Sequence, residues 1–144
     1  MKEILIKNAK IKSTYLGIED HGIFTAFLHL DFGGYTQSFG GYTLDKYVKD
    51  GRRSGHAFGT EFIMQILRVL EIESWEKLPG TVCRVRSGSD PEHYNSIEEI
   101  GHFMKDQWFN PKSLAEKYFP LQKLEEPPMF GTHIKEAIKI LTHK

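Results

Sequence analysis

Two arginines and three glycines precede the strongest helical pattern in the chain, in the segment GRRSGHAFGT at residues 51–60. Arg52 and Arg53 carry forked guanidinium groups that match the oxygens of a phosphate. The first amides of a helix have no partner within it, and the helix N-terminus carries partial positive charge. The segment therefore predicts a phosphate-binding site. A solvated loop before an ordinary helix is the alternative interpretation of the same residues.

Neighbouring residues, together with aromatic and amide side chains elsewhere, complete a hypothetical nucleotide site. Gly59 would let a ligand approach the backbone, and Thr60 offers a hydroxyl donor. Aromatic rings stack on bases and side-chain amides bond to base edges, although packing in the core is the commoner role of any single aromatic residue. The predicted ligand-binding residues are Arg52, Arg53, His56, Phe58, Gly59, Thr60, Asn95, Gln107 and Trp108.

The sequence lacks the motifs of familiar enzymes: G-x-x-x-x-G-K-[ST], G-x-G-x-x-G, H-E-x-x-H and G-x-S-x-G. The seven histidines lack the close spacing of zinc ligands, and Cys83, in an apolar run, is predicted to be a buried reduced thiol. We therefore expect no catalytic residue, no metal site and no cofactor. The alternative is a nucleotide or phosphoester hydrolase whose histidines converge only in the fold: His21, His56, His93 and His102.

Composition limits the classes of function further. The chain has 144 residues, enough for one domain, with 40% apolar and 12% aromatic residues, which excludes general disorder. Its 19 basic and 19 acidic residues balance, which argues against a partner of long DNA or RNA but leaves room for a local anion site. No apolar stretch has the length of a membrane span or a signal peptide, so we expect a cytoplasmic protein with no membrane partner.

The hydrophobic pattern predicts an α+β fold with an antiparallel sheet of about five strands. Period-two alternation and glycine turns indicate three strands within the first 43 residues, and residues 44–56 are predicted to form a loop. One main helix, with apolar residues at helical spacing from Phe58 to Leu70, follows the third strand. Two further strands are predicted near residues 81–86 and 96–104, and additional helices follow towards the C-terminus.

Two helices are predicted after the sheet. Asn110 and Pro111 are typical of a helix start. Thr132 could cap a last amphipathic helix beyond the prolines at 127 and 128. We therefore predict one ligand-binding domain over residues 1–120 and a C-terminal extension over residues 121–144. That amphipathic helix also supports the alternative that this is a phage protein that inhibits a host protein by direct binding.

Several phrases together resemble the first Thoeris anti-defence family, small phage proteins that sequester immune signalling nucleotides. They are LGIEDHG at 16–22, SFGGY at 38–42, AFGTEF at 57–62, IGH at 100–102 and KDQWF at 105–109. The resemblance implies a non-enzymatic protein of the host cell cytoplasm that binds glycocyclic ADP-ribose without cleaving it, and it leaves cyclic oligonucleotides as an alternative ligand class. It also implies a homodimer or a larger oligomer of dimers.

Overall fold

The computed structural model describes residues 3–89 and 96–120. The chain divides into two compact units. Among the described residues, the first unit comprises 3–14, Leu28–Phe39, 64–89 and 96–111, and the second comprises Tyr15–Phe27, Gly40–Ile63 and 112–120. The predicted extension over residues 121–144, with its helix from Thr132, lies outside the described residues, and the predicted domain over 1–120 stays a prediction.

The fold is α+β, as the hydrophobic pattern predicts. In chain order the elements are β1 (Glu3–Ile18), β2 (Phe24–Asp31), β3 (Thr36–Gly40), β4 (Asp45–Lys49), β5 (Arg52–Gly55), α1 (Ala57–Leu70), a 3-10 turn (Trp75–Lys77), β6 (Val82–Ser89), β7 (Ile97–His102), β8 (Trp108–Phe109) and α2 (Pro111–Tyr118). Six strands form one sheet in the order β3-β2-β1-β6-β7-β8, and β4 pairs with β5 in a separate hairpin. The pairs β1–β6, β6–β7, β7–β8 and β4–β5 are antiparallel.

The prediction of a loop over residues 44–56 is wrong, because this segment forms the β4–β5 hairpin. The described residues therefore contain eight strands instead of about five, and the main helix follows the fifth strand instead of the third. Most side chains of the hairpin are exposed, so it lacks the apolar alternation by which a half-buried strand is recognised. The strands predicted near 81–86 and 96–104 and the helix start at Pro111 are confirmed.

In the first unit, one face of the sheet is buried. The register places Ala9 opposite Cys83, and it aligns Val85 with Ile100 and Ile100 with Phe109. All five of these side chains are buried. Alternating residues of β1 and β6 point to the other face, where Ile4, Ile6 and Val82 are exposed.

Aromatic rings of the second unit pack around the start of α1. Phe58 and Phe62 are buried, with ring centroids 6.1 Å apart. The Phe119 ring, just beyond α2, lies 5.7 Å from that of Phe58, and the Tyr42 ring lies 5.6 Å from that of Phe62. These contacts fix the first turns of α1, and with it the residues that lead into the helix.

Candidate functional site

The β4–β5 hairpin carries Arg52 and Arg53. Its register pairs Asp45 with Gly55, Lys46 with Ser54, Tyr47 with Arg53, and Lys49 with Arg52, with a β-bulge between Tyr47 and Lys49. Asp50 and Gly51 connect the strands, both with left-handed backbone angles (φ 52° and 75°). Two consecutive left-handed residues form the tight turn that suits the twist of a hairpin, and Asp-Gly is a preferred pair there. The Tyr47 hydroxyl also accepts the Gly51 amide at 3.2 Å.

The guanidinium group of Arg53 is held by Asp45. Nε donates to Oδ2 and Nη2 donates to Oδ1, both at 3.0 Å, in a two-pronged ion pair. Asp45 is buried, with 7% of its surface exposed. A buried carboxylate needs an ion-pair or hydrogen-bond partner to offset the cost of removing its charge from water, and Arg53 supplies one. Arg53 therefore stabilises the hairpin, although sequence alone makes it equivalent to Arg52.

Arg52 is exposed, and its guanidinium has no hydrogen bond or ion pair with any of the described residues. The other four arginines of the chain all interact with protein groups. Arg53 bonds to Asp45, Arg84 donates to the carbonyls of His102 and Lys105, and Arg86 pairs with Glu99. Arg68 also has a partner. With respect to residues 3–89 and 96–120, Arg52 is thus the one arginine whose fork is available to a ligand.

His56 precedes α1 and caps it. The Gly59 amide donates to His56 Nδ1 at 3.2 Å, which places the imidazole proton on Nε2. Nε2 is buried without a hydrogen-bond partner among the described residues. Burial lowers the pKa of His56 from its usual 6.5, and the nearby charges of Lys46 and Arg53 lower it further, opposed by Asp45. The imidazole is therefore neutral around pH 7 and serves the helix as an acceptor.

The residues that follow His56 differ in their accessibility. Phe58 is 1% exposed and packs against other aromatic rings, which is a core role. A Cβ atom on Gly59 would lie 1.9 Å from the carbonyl oxygen of Leu44, so glycine is required here by the close approach of two protein segments. Thr60 is exposed in the first turn of α1, and its amide donates to the His56 carbonyl at 3.3 Å. Of these three residues, Thr60 has the surface position that a ligand contact requires.

Gln107 and Trp108 belong to the first unit, whereas the residues from Arg52 to Thr60 belong to the second. The Gln107 side-chain amide donates to the Val69 carbonyl at 3.1 Å and to Glu71 Oε2 at 3.2 Å. Hydrogen bonds from Lys105 and from Gln107 lower the pKa of Glu71. In this structure the Gln107 amide thus fixes the end of α1. Asn95, the other predicted amide, lies outside the described residues.

Trp108 stacks with two arginines that are not among the predicted ligand-binding residues. The guanidinium carbons of Arg84 and Arg86 lie 4.9 and 3.9 Å from its ring centroid, and the indole N–H donates to Asp106 at 2.9 Å. Arg84 and Arg86 alternate with the buried Cys83 and Val85, so both point to the exposed side of the sheet. This period-two pattern is visible in the sequence and could have indicated the cluster.

The described histidines of the hydrolase alternative have local contacts. His21 Nδ1 lies 3.5 Å from a Glu19 carboxylate oxygen, in the turn before β2. His102 Nδ1 accepts the amides of Met104 and Lys105. His93 lies outside the described residues, and no group of three or more potential metal ligands occurs within the described part of the chain. Burial raises the pKa of Cys83 to about 12, which makes its thiol a poor nucleophile.

These observations define an α+β protein with an exposed cationic hairpin directly before a capped helix. Comparison with protein-family models, with curated proteins and with solved structures gives no match. Within residues 3–89 and 96–120, neither helix combines the length and the apolar character needed to cross a bilayer.

Proposed function

We propose that this protein binds a small cyclic nucleotide and sequesters it without cleaving it, with Arg52 as the principal phosphate ligand. The availability of Arg52 carries the proposal: among the described residues its guanidinium has no partner, whereas the other four arginines are engaged. Arginine recognises phosphate with two parallel hydrogen bonds, so an unpaired fork on a rigid hairpin suits an anionic ligand. The resemblance to the Thoeris anti-defence family supports a glycocyclic ADP-ribose type of signal, with cyclic oligonucleotides as the alternative class.

Sequestration and hydrolysis require different functional groups in the protein. A binding protein needs charge complementarity and a rigid scaffold, whereas a hydrolase needs a positioned base or nucleophile. The imidazole of His56, the residue that directly follows the cationic hairpin in the chain, already accepts a helix amide through Nδ1. This use of His56 as a cap supports binding over general-base chemistry at this place.

We also propose that the protein acts as a homodimer or an oligomer of dimers in the host cytoplasm. Exposed apolar side chains on the outer face of the first unit's sheet support self-association, because Ile4 and Ile6 are 63% and 52% exposed. Apolar side chains clustered on a sheet face are typical of an interaction surface. Mass measurement in solution, by light scattering, tests this proposal directly.

Capture followed by release tests sequestration. The purified protein is incubated with glycocyclic ADP-ribose, passed through a desalting column, heated, and the supernatant is examined by mass spectrometry. We expect the ligand to be recovered intact in near-stoichiometric amount, whereas a chemically altered product would support the hydrolase alternative. Ligand that does not co-elute with the protein would refute sequestration of this signal.

Variants locate the site. Arg52→Ala should weaken capture about tenfold, because it removes a charge-assisted pair of hydrogen bonds. Lys12→Ala, which removes an exposed cation from β1, is the matched control and should leave capture unchanged. Arg53→Ala is unsuitable for this purpose, because it leaves the buried Asp45 carboxylate without its partner.

A further inference from the structure

Three exposed cations share one face of the β4–β5 hairpin. Side chains that are directly opposite in an antiparallel pair point to the same face, and residues two apart on one strand do so as well. The register places Lys46 opposite Ser54 and Lys49 opposite Arg52. Since Arg52 and Ser54 are two apart on β5, all four side chains lie on one face, which we call the cationic face. All four residues are exposed.

The β-bulge brings Lys49 to the cationic face. In a regular strand Lys49 would point to the same side as Tyr47, two residues earlier. The register shifts between these two residues, so that Val48 is the extra residue and Lys49 faces Arg52 instead. The opposite side of the hairpin holds the Asp45–Arg53 ion pair. The hairpin thus places its one buried carboxylate on one side and, on the other, cations that have no ion pair with the described residues.

Lys49 and Arg52 form a cross-strand pair of like charges. Directly opposed side chains have Cβ atoms about 5 Å apart, and like charges at this position destabilise a strand pair. Lys46, Lys49 and Arg52 form no ion pair with any acidic group in the described part of the chain. The stability of the hairpin therefore does not explain this arrangement, whereas an anion bound between the two cations would relieve the repulsion.

We infer that the cationic face binds an anion with at least two phosphate groups, and that Lys46 and Lys49 act with Arg52 as its ligands. This inference rests on the proposed function and extends it to two lysines and to a diphosphate class of ligand. The three cations and the Ser54 hydroxyl belong to two successive cross-strand pairs, Lys46–Ser54 and Lys49–Arg52. Two linked phosphate groups can contact both pairs, which a single phosphate group does less well. A long nucleic acid fits less well, because the chain as a whole has no net positive charge.

The hairpin is held in shape before any ligand arrives. The Asp45–Arg53 pair joins its base, and the Tyr47 hydroxyl, which accepts the Gly51 amide, closes its tip. A site whose backbone is already ordered avoids part of the entropy cost of binding. When the cationic face binds a diphosphate, only its long side chains therefore have to become ordered.

Titration with inorganic pyrophosphate tests this face without a nucleotide. Dissociation constants are measured by calorimetry at low ionic strength for the full chain and for Lys46→Ala, Lys49→Ala, Arg52→Ala and the triple variant. Lys46→Ala and Lys49→Ala should each weaken binding about threefold, as expected for one charge at a solvent-exposed separation of about 6 Å. Arg52→Ala should weaken it about tenfold, because the forked pair of hydrogen bonds is lost as well, and the triple replacement about 100-fold. Lys12→Ala is the matched control, and inorganic phosphate should bind the full chain at least tenfold more weakly than pyrophosphate.

The outcomes separate this inference from the proposed function. Unchanged pyrophosphate affinity in the triple variant, with its hairpin shown intact by amide chemical shifts, overturns the inference even if glycocyclic ADP-ribose is still captured. Affinity lost as expected, together with failure to capture glycocyclic ADP-ribose, supports the diphosphate face and overturns the proposed signal. A 20-nucleotide single strand that binds more than 100-fold more tightly than pyrophosphate would identify a polyanion surface and overturn the diphosphate class.

Discussion

Replacing the adjacent arginines of the hairpin by alanine should affect the free energy of unfolding very differently. Arg53 forms two hydrogen bonds of 3.0 Å with Asp45, whose surface is 7% exposed, whereas Arg52 points away from this pair and is exposed. Arg53→Ala leaves a buried carboxylate without its cation. Arg52→Ala removes a surface charge and a like-charge neighbour of Lys49. The first variant should lose stability and the second should keep it.

The magnitude follows from burial. Removing one partner of a fully buried ion pair costs about 3–5 kcal/mol, because the remaining charge is desolvated and unpaired. The Arg53 side chain is 26% exposed, so water reaches part of the pair and can replace some of the lost hydrogen bonding. We therefore expect Arg53→Ala to lower the free energy of unfolding by about 2–3 kcal/mol. Arg52→Ala should change it by less than about 0.5 kcal/mol.

Urea unfolding followed by circular dichroism measures both values, and thermal scans should show a Tm lowered by about 6–9 °C for Arg53→Ala. Asp45→Asn combined with Arg53→Ala completes a double-mutant cycle. The double variant should be more stable than Arg53→Ala alone, because a neutral amide is cheaper to bury than an unpaired carboxylate. A loss below about 0.5 kcal/mol for Arg53→Ala would show that the ion pair does not hold the hairpin, and our distinction between the two arginines would fail.

Three other sites give independent tests of the structure. Gly101→Ala should cost about 1–3 kcal/mol in urea unfolding and shift the tryptophan emission, because the new Cβ would lie 2.5 Å from Cε3 of Trp108; Gly34→Ala, with open space around its Cβ, is the control. Cys83 should resist a thiol reagent at pH 8 in the folded protein and react at once in urea, because burial raises its pKa to about 12; rapid labelling of the native protein would contradict its burial. The pKa of His56 is lower in the folded chain than its usual 6.5, so the unfolded chain binds the proton more readily; the contribution of His56 to stability is complete above about pH 6.5 and is lost as the pH falls from there towards the folded pKa. His56→Asn, which can still cap α1, should lose this slope, and an unchanged slope would assign it to another group.

The elements that the sequence predicts correctly are those that bury one face. Phe58, Phe62 and Ile66 recur at helical spacing because one side of α1 is buried, and the β6 strand alternates between buried Cys83 and Val85 and more exposed arginines. The β4–β5 hairpin has no such pattern. Its pairing depends on the Asp-Gly turn and on the ion pair between residues 45 and 53, a contact that residue spacing alone does not reveal.

The same limit applies to the candidate site. Sequence reasoning selects Arg52 and Arg53 together, since both precede the helix, but it cannot show that one of them is held by a carboxylate eight residues earlier. It also treats Gly59 as space for a ligand, where the structure places the Leu44 carbonyl. Arg84 and Arg86 were missed because their aromatic partner, Trp108, follows more than 20 residues later and meets them across β7.

Because Arg53 is paired with Asp45, it is not available to a ligand, and this changes how a ligand must be bound. With one free arginine, the hairpin offers one forked donor, and the lysines supply the remaining positive charge as flexible point charges. Binding that depends on exposed lysines weakens as salt rises, because the Debye length shortens from about 10 Å at 0.1 M to about 3 Å at 1 M. The lysines of the cationic face should therefore attract an anionic ligand by long-range electrostatics, and the Arg52 fork should determine which anion is selected. Affinity for pyrophosphate that did not depend on salt would place the ligand in a more enclosed part of the molecule than this hairpin.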